Sequence, residues 1–357
     1  MSNYEEFQGT RPLAVDHGID VANLERYMGQ HVEGFSGSLE VEQFNGGQSN
    51  PTFMLKAGGN KYVLRRKPPG KLLPSAHAVD REYRVITALA ETEVPVARTY
   101  ALCEDDSVIG AMFYIMDCVD GRVLWDPSLP GMAPAERRAI FDEMNRVIAA
   151  LHTVDYQSIG LASYGKPGNY FARQIDRWSR QYKASETEKI EAMDKLIDWL
   201  PNNIPEGDET AIVHGDYRLD NMIFHPTEPR VLAVLDWELS TLGHPMADFS
   251  YHMMTWRLSA AEFRGLRGYD LAMLGIPSEE EYLQRYLQRT GFTKAKPSDW
   301  GFYMAYNMFR MAGILQGIMG RVVGGNAAST QAMEAGTRAR PMAELGWMQV
   351  EKILSKG

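Results

Sequence analysis

Between two short apolar runs the chain carries His214-Gly215-Asp216-Tyr217-Arg218-Leu219-Asp220-Asn221, and fifteen residues past Asn221 stands Asp236. Phosphoryl transfer suits such a set, because it demands positioning and charge stabilisation more than covalent chemistry. One carboxylate must orient the acceptor hydroxyl or accept its proton, and Asp216 fits that role. Hard oxygen ligands must hold Mg²⁺ on the phosphates, a role that fits Asn221 and Asp236. A positioned base contributes about 10²–10⁴-fold in rate, whereas loss of the metal-binding Asp236 should remove nearly all activity. Any one of the three residues is easily explained as a turn former, since Asp and Asn bond local backbone. The complete set between predicted strands points to chemistry. His214 reads as a loop histidine that bonds backbone, and His77, His244 and His252 show no metal-ligand spacing.

The surrounding elements must place these residues on hairpins inside a helical region. Strands are predicted at Ala211–Val213, Met222–Phe224 and Val231–Leu235. Helices are predicted at Pro134–His152, Glu186–Leu200, Met246–Leu258, Glu279–Arg289, Asp299–Met319 and Gln331–Ser355. Upstream, residues 20–32 form an amphipathic pattern with Asp20 as N-cap. Alternating runs around Leu39–Phe44, Thr52–Ala57 and Tyr62–Arg65, joined by Gly-rich turns, predict three antiparallel strands. A helix over 77–91 and strands at Arg98–Leu102 and Phe113–Val119 complete a small sheet that carries one helix. The switch from strand to helix puts a boundary near residues 117–122.

Composition narrows the class. A chain of 357 residues suits two lobes. Its net charge of −9 argues against nucleic acid as a partner. No apolar run approaches the ~20 residues of a membrane span, and Met1 to Asp16 carries no hydrophobic signal region. Cys103 and Cys118 are the only cysteines, too few for a disulfide framework. The expectation is a cytoplasmic protein with neither nucleic-acid nor membrane partners.

The His-Gly-Asp…Asn block, flanked by strands and followed by Asp236-Trp237-Glu238, resembles the aminoglycoside phosphotransferase and choline kinase superfamily, relatives of the protein kinases. The resemblance implies an α+β, protein-kinase-like bilobal fold, with ATP and Mg²⁺ as cofactors. Residues 1–117 would be an N-lobe holding the nucleotide-binding sheet and an N-terminal helix. Residues 118–357 would be a mostly helical C-lobe with the catalytic loop, the metal site and the acceptor-binding helices. Phe44–Phe53 matches the phosphate-covering turn, where the Ser49 hydroxyl would touch phosphate. Arg65 stands where the family usually has Lys and would grip the α/β-phosphates, paired with Glu82. Asp117 and Val119 match the adenine-binding hinge. Arg218 would face the transferred phosphoryl group beside the catalytic Asp216, and Asp248 would prop the catalytic loop as structural support.

Three further stretches, Leu64–His77, Leu235–Asp248 and Phe309–Ser329, look like the kinase-like domains associated with acyl-CoA dehydrogenases. That likeness implies a small-molecule acceptor, either a hydroxyacyl-CoA (a CoA thioester) or a hydroxy acid, and an acyl-CoA dehydrogenase as pathway partner. Arg310 and Arg321 are candidates to meet an anionic acceptor, and the basic run Arg65-Arg66-Lys67…Lys71 to approach CoA phosphates. Helix-surface ion pairing and a solvated loop are the competing readings. The alternative acceptor is an aminoglycoside or a choline-type amino alcohol, although residues 299–329 hold Arg310 and Arg321 against the single Asp299. The alternative class is a non-catalytic nucleotide-binding module, supported by Arg65 in the Lys position. Protein-serine kinase activity lacks its Ala-Pro-Glu motif.

Overall fold

The structure is a computed structural model, and it describes residues 9–13, 18–45, 50–68, 78–292, 296–325 and 330–355. Ser49, Lys71, His77 and the stretch 326–329 lie outside the described residues. The chain divides into two compact units. One holds the described residues up to Trp125, with Tyr156–Tyr164 and Leu219–Ser240. The other holds Asp126–Asp155, Gly165–Arg218 and the described residues from Thr241 onward. Elements are numbered along the chain.

In the first unit, β1 (Thr10–Pro12), β2 (Glu40–Phe44), β3 (Thr52–Ala57), β4 (Asn60–Arg66), β5 (Thr99–Cys103) and β6 (Phe113–Asp117) form an antiparallel sheet in the order β1-β2-β3-β4-β6-β5. The period of two along β3 buries Phe53, Leu55 and Ala57 and leaves their neighbours half-exposed. That buried face joins Leu24 and Met28 of helix α1 (Val21–His31) in one apolar cluster. Asp20 caps α1 by accepting the Asn23 N–H at 2.9 Å. Helix α2 (Val79–Leu89) buries Val79, Glu82, Val85, Ile86 and Leu89, so a carboxylate rides on its apolar face. A smaller sheet runs β10-β9-β7, built from β7 (Arg122–Val123), β9 (Met222–Phe224) and β10 (Val231–Val234).

The second unit is mainly helical: α3 (Pro134–Thr153), α4 (Tyr170–Ala184), α5 (Glu191–Trp199), α6 (Pro245–Arg257), the short α7 (Ala260–Phe263) and α8 (Leu271–Leu274), α9 (Glu279–Thr290), α10 (Trp300–Val323), α11 (Thr330–Gly336) and α12 (Ala339–Leu354). A two-stranded ribbon of β8 (Ala211–Val213) and β11 (Thr241–Gly243) is set among them. Helix α6 is buried along nearly its whole length. The apolar run of α10, including Met304, Met308 and Met311, is core.

Most predicted elements stand within a few residues of their expected bounds. Helix α4 was not anticipated, because only Phe171, Ile175 and Tyr182 are buried among its 15 residues and the apolar stripe is thin. The helix expected over 186–200 begins only at Glu191. The long terminal helix breaks into α11 and α12 after Gly336, where an added Cβ would lie 2.8 Å from Met319 side-chain carbons.

Two predictions concern stability. A Cβ on Gly121 would lie 2.4 Å from both Ile223 Cγ2 and the Phe224 carbonyl oxygen. Gly121→Ala is therefore expected to push β7 off β9 and destabilise by about 1–3 kcal/mol, read as a lower melting temperature in scanning fluorimetry. Burial pulls the pKa of His252 down to about 4, and its Nε2 lies 2.8 Å from the Tyr282 hydroxyl. The unfolded chain takes up a proton near pH 6.5 that the folded one refuses. Stability is thus full above about pH 6.5 and falls as the pH drops toward 4, by at most about 3 kcal/mol from this group. Urea midpoints at pH 7 and pH 5 should differ less in His252→Gln than in the wild type.

Candidate active site

In the first unit the site residues gather around one guanidinium. Antiparallel pairing sets Arg65 of β4 opposite Tyr114 of β6. The Arg65 Nε lies 3.2 Å from Glu82 Oε2 and its Nη2 lies 3.4 Å from Asp236 Oδ1. Glu82 is buried and receives the Asn50 amide at 2.9 Å and the Tyr114 hydroxyl at 3.1 Å. Burial pushes its carboxyl above the usual range, opposed by Arg65 and these two donors. A carboxylate so placed fixes the fork of Arg65 rather than meeting solvent.

Asn221 and Asp236 are brought together by backbone pairing. Val234 of β10 pairs with Met222 of β9, and the Leu235 N–H donates to the Asn221 carbonyl at 2.8 Å. The pairing therefore carries residues 221 and 236 to the same end of the hairpin. Asp236 has φ +64° and ψ +63°, a left-handed conformation that costs a non-glycine residue energy and clusters at functional positions. Trp237 anchors the next residue by donating its Nε1 proton to the Val234 carbonyl at 2.9 Å. Among the described residues no group of three or more His, Cys, Asp and Glu forms a metal cage. A carboxamide and a carboxylate fit an ion that keeps phosphate and water oxygens, as Mg²⁺ does.

At the expected hinge, the Asp117 N–H donates to the Arg98 carbonyl at 2.8 Å, and its Oδ1 accepts the Tyr100 hydroxyl at 2.5 Å. Val119 is half-buried two residues on.

In the second unit the loop after β8 is pinned by a buried acid. Asp248 of α6 accepts the His214 N–H at 2.7 Å and the Gly215 N–H at 2.8 Å. His152 Nε2 stands 3.2 Å from the same carboxylate, and its Nδ1 is 2.6 Å from the Tyr286 hydroxyl. Burial alone would raise the Asp248 pKa, but these partners hold it below the usual carboxylate range. Gly215 has φ +85°, which a side chain would strain. The His214 Nδ1 accepts the Asp216 N–H at 3.2 Å, so the imidazole caps its own turn.

Asp216 is turned into a polar cluster. The Tyr251 hydroxyl donates to its Oδ1 at 2.5 Å and the Arg218 Nε lies 3.1 Å from that oxygen. Arg310 donates to the Gly215 carbonyl at 2.8 Å. It thus braces the loop, a role outside both sequence readings, acceptor contact and surface ion pair. Arg321 is exposed on α10. The sequence reading missed Tyr251, Tyr114, Asn50 and His152. Tyr251 carried a signal: three residues beyond Asp248 on a predicted helix, it had to share that residue's face.

The phosphotransferase enzyme family model matches residues 40–306, well over half of the chain. The chain belongs to this family. A candidate aminoglycoside phosphotransferase from Ralstonia eutropha, solved by crystallography, is 65% identical with a TM-score of 0.87, covering 93% of this chain and 98% of that one. Choline kinase from Cryptosporidium parvum shares the fold at 12% identity, with a TM-score of 0.65 over 95% of this chain and 97% of that one. So does aminoglycoside phosphotransferase APH(4)-Ia, solved with ADP and hygromycin B, at 17% identity and a TM-score of 0.58 over 92% and 98%. The fold is α+β and protein-kinase-like. Among curated proteins, mouse acyl-CoA dehydrogenase family member 10 is 46% identical over 344 residues, 95% of this chain and 32% of that protein. The chain spans about a third of that relative's length and less than half that of its rat family member 11 counterpart.

Asp248→Ala would leave two buried N–H donors and a buried imidazole without their partner. The expected cost is about 3–5 kcal/mol, measured as a shift in denaturant midpoint relative to wild type.

Proposed function

We propose that this chain transfers the γ-phosphoryl group of ATP to a hydroxyl of a small acceptor, with a hydroxyacyl-CoA or hydroxy acid as the leading acceptor. The observation that carries this reading is the Asn221–Asp236 pair, two hard oxygen donors drawn to one hairpin end with Arg65 reaching the second. Asn221 and Asp236 would hold Mg²⁺, which would hold the phosphate oxygens and neutralise their charge. Arg65, held by Glu82, would grip the α/β-phosphates, and the Asp117 carbonyl and Val119 N–H would meet the adenine edge. Ser49 would contact phosphate. Asp216 would orient the acceptor hydroxyl and take its proton as the new O–P bond forms and the bond to the ADP oxygen breaks. Arg218 would counter the charge that develops beside Asp216. Asp248 would support Asp216 through the backbone of His214 and Gly215.

The bound ADP of APH(4)-Ia, an enzyme of the same fold, supports a nucleotide here. The acceptor is supported by the name of the mouse relative, an acyl-CoA dehydrogenase family member. Two arginines, Arg218 and Arg310, stand beside Asp216 and its loop, an environment that favours an anionic acceptor over an aminoglycoside or choline. A pathway partner of the acyl-CoA dehydrogenase class follows from the same name.

Purified protein with Mg-ATP should form ADP in step with a phosphorylated acceptor when given hydroxyacyl-CoAs or free hydroxy acids. Asp216→Ala and Asp236→Ala should lower that rate by at least about 10²-fold. Nucleotide binding with no ADP formation above the Asp216→Ala control, for every acceptor including hygromycin B and choline, would replace this reading with a nucleotide-binding module.

A further inference from the structure

We infer that Tyr251, braced by Arg310, is a positioning residue that sets the direction of the Asp216 carboxylate, an inference that rests on the phosphotransferase reading of the same loop. Helix α6 touches that loop twice. Asp248 fixes the backbone of His214 and Gly215, and one turn later Tyr251 delivers its hydroxyl to the side chain of Asp216. The phenol is the donor and the carboxylate oxygen the acceptor.

The tyrosine itself has little freedom. Its side chain is buried, 6% exposed, on a helix buried along most of its length. The Arg310 guanidinium carbon lies 5.1 Å from its ring centroid while Nη2 of the same residue holds the Gly215 carbonyl. One cation therefore touches both the carbonyl that precedes Asp216 and the ring that carries the hydroxyl.

A carboxylate on a loop can rotate about two side-chain torsions. A hydroxyl mounted on a rigid helix, converging with the Arg218 Nε on the same oxygen, removes most of that rotation. Transfer to an alcohol depends on the direction of Asp216, whereas nucleotide binding draws on residues of the other unit. Loss of the hydroxyl should consequently appear in turnover and leave affinity for ATP alone.

Tyr251→Phe keeps the ring and removes only the donor. With Mg-ATP and a turned-over acceptor, kcat should fall about 10- to 100-fold, with KM for ATP within about two-fold and an unchanged melting temperature. Arg310→Lys should also lower kcat, by less than Tyr251→Phe, because it loosens the ring and the Gly215 carbonyl and leaves the hydroxyl in place. A Tyr251→Phe kcat within about two-fold of wild type, or a loss carried by KM for ATP, would overturn the inference. A crystal structure of Tyr251→Phe gives a readout that needs no turnover. Asp216 is expected in a rotated or divided orientation, and an unmoved carboxylate would sink the inference. Wild-type protein without Asp216-dependent turnover on any acceptor would defeat the phosphotransferase reading, and the crystal structure would still decide the placement of Asp216.

Discussion

A single buried carboxylate holds the loop after β8 in shape. Removing the charge of Asp248 from water is costly unless every face of it is paired, and the chain meets that demand with two consecutive backbone N–H groups and an imidazole. Those partners can converge only if Gly215 turns through a positive φ and His152 on α3 approaches α6. The loop conformation is the geometry that satisfies the acid. Asp216 follows directly on the two residues whose backbone that acid holds.

The other unit applies the same logic with the charges exchanged. There the directed group is a cation, Arg65, and the buried partner that holds it is Glu82, itself steadied by Asn50 and Tyr114. A lysine in that position would present a compact point charge to one partner. The planar guanidinium reaches two acids at once, tying Glu82 of α2 to Asp236, two residues past the end of β10. Arg65 is therefore a structural solution in its own right, different in kind from the usual lysine.

Much of this was legible in the residues. Alternation fixed Thr52–Ala57 to the residue, and Ala211–Val213 and Met222–Phe224 stood out as short apolar runs bounded by turn formers. Arg65 does lie against Glu82, and Asp248 against the backbone of the loop. What stayed hidden depended on tertiary partners. Arg310 lies on an apolar helix, and nothing local says that its guanidinium turns to a carbonyl 95 residues away. Asn50 and Tyr114 matter only because the fold brings residues 32 positions away in the chain to Glu82. Helix α4 escaped because its burial is confined to three side chains, too few to raise a periodic signal above its charged surface.

Among the described residues β1 lies at the edge of its sheet, which has a consequence for assembly. The Asn45 N–H donates to the Gly9 carbonyl, so by antiparallel alternation positions 10 and 12 turn their amide positions away from β2. One of those positions is Pro12, which has no proton to offer. A neighbouring molecule attempting to extend the sheet along this margin would meet a ladder missing a rung. The sheet is thereby guarded against growing into a shared structure between chains on that side.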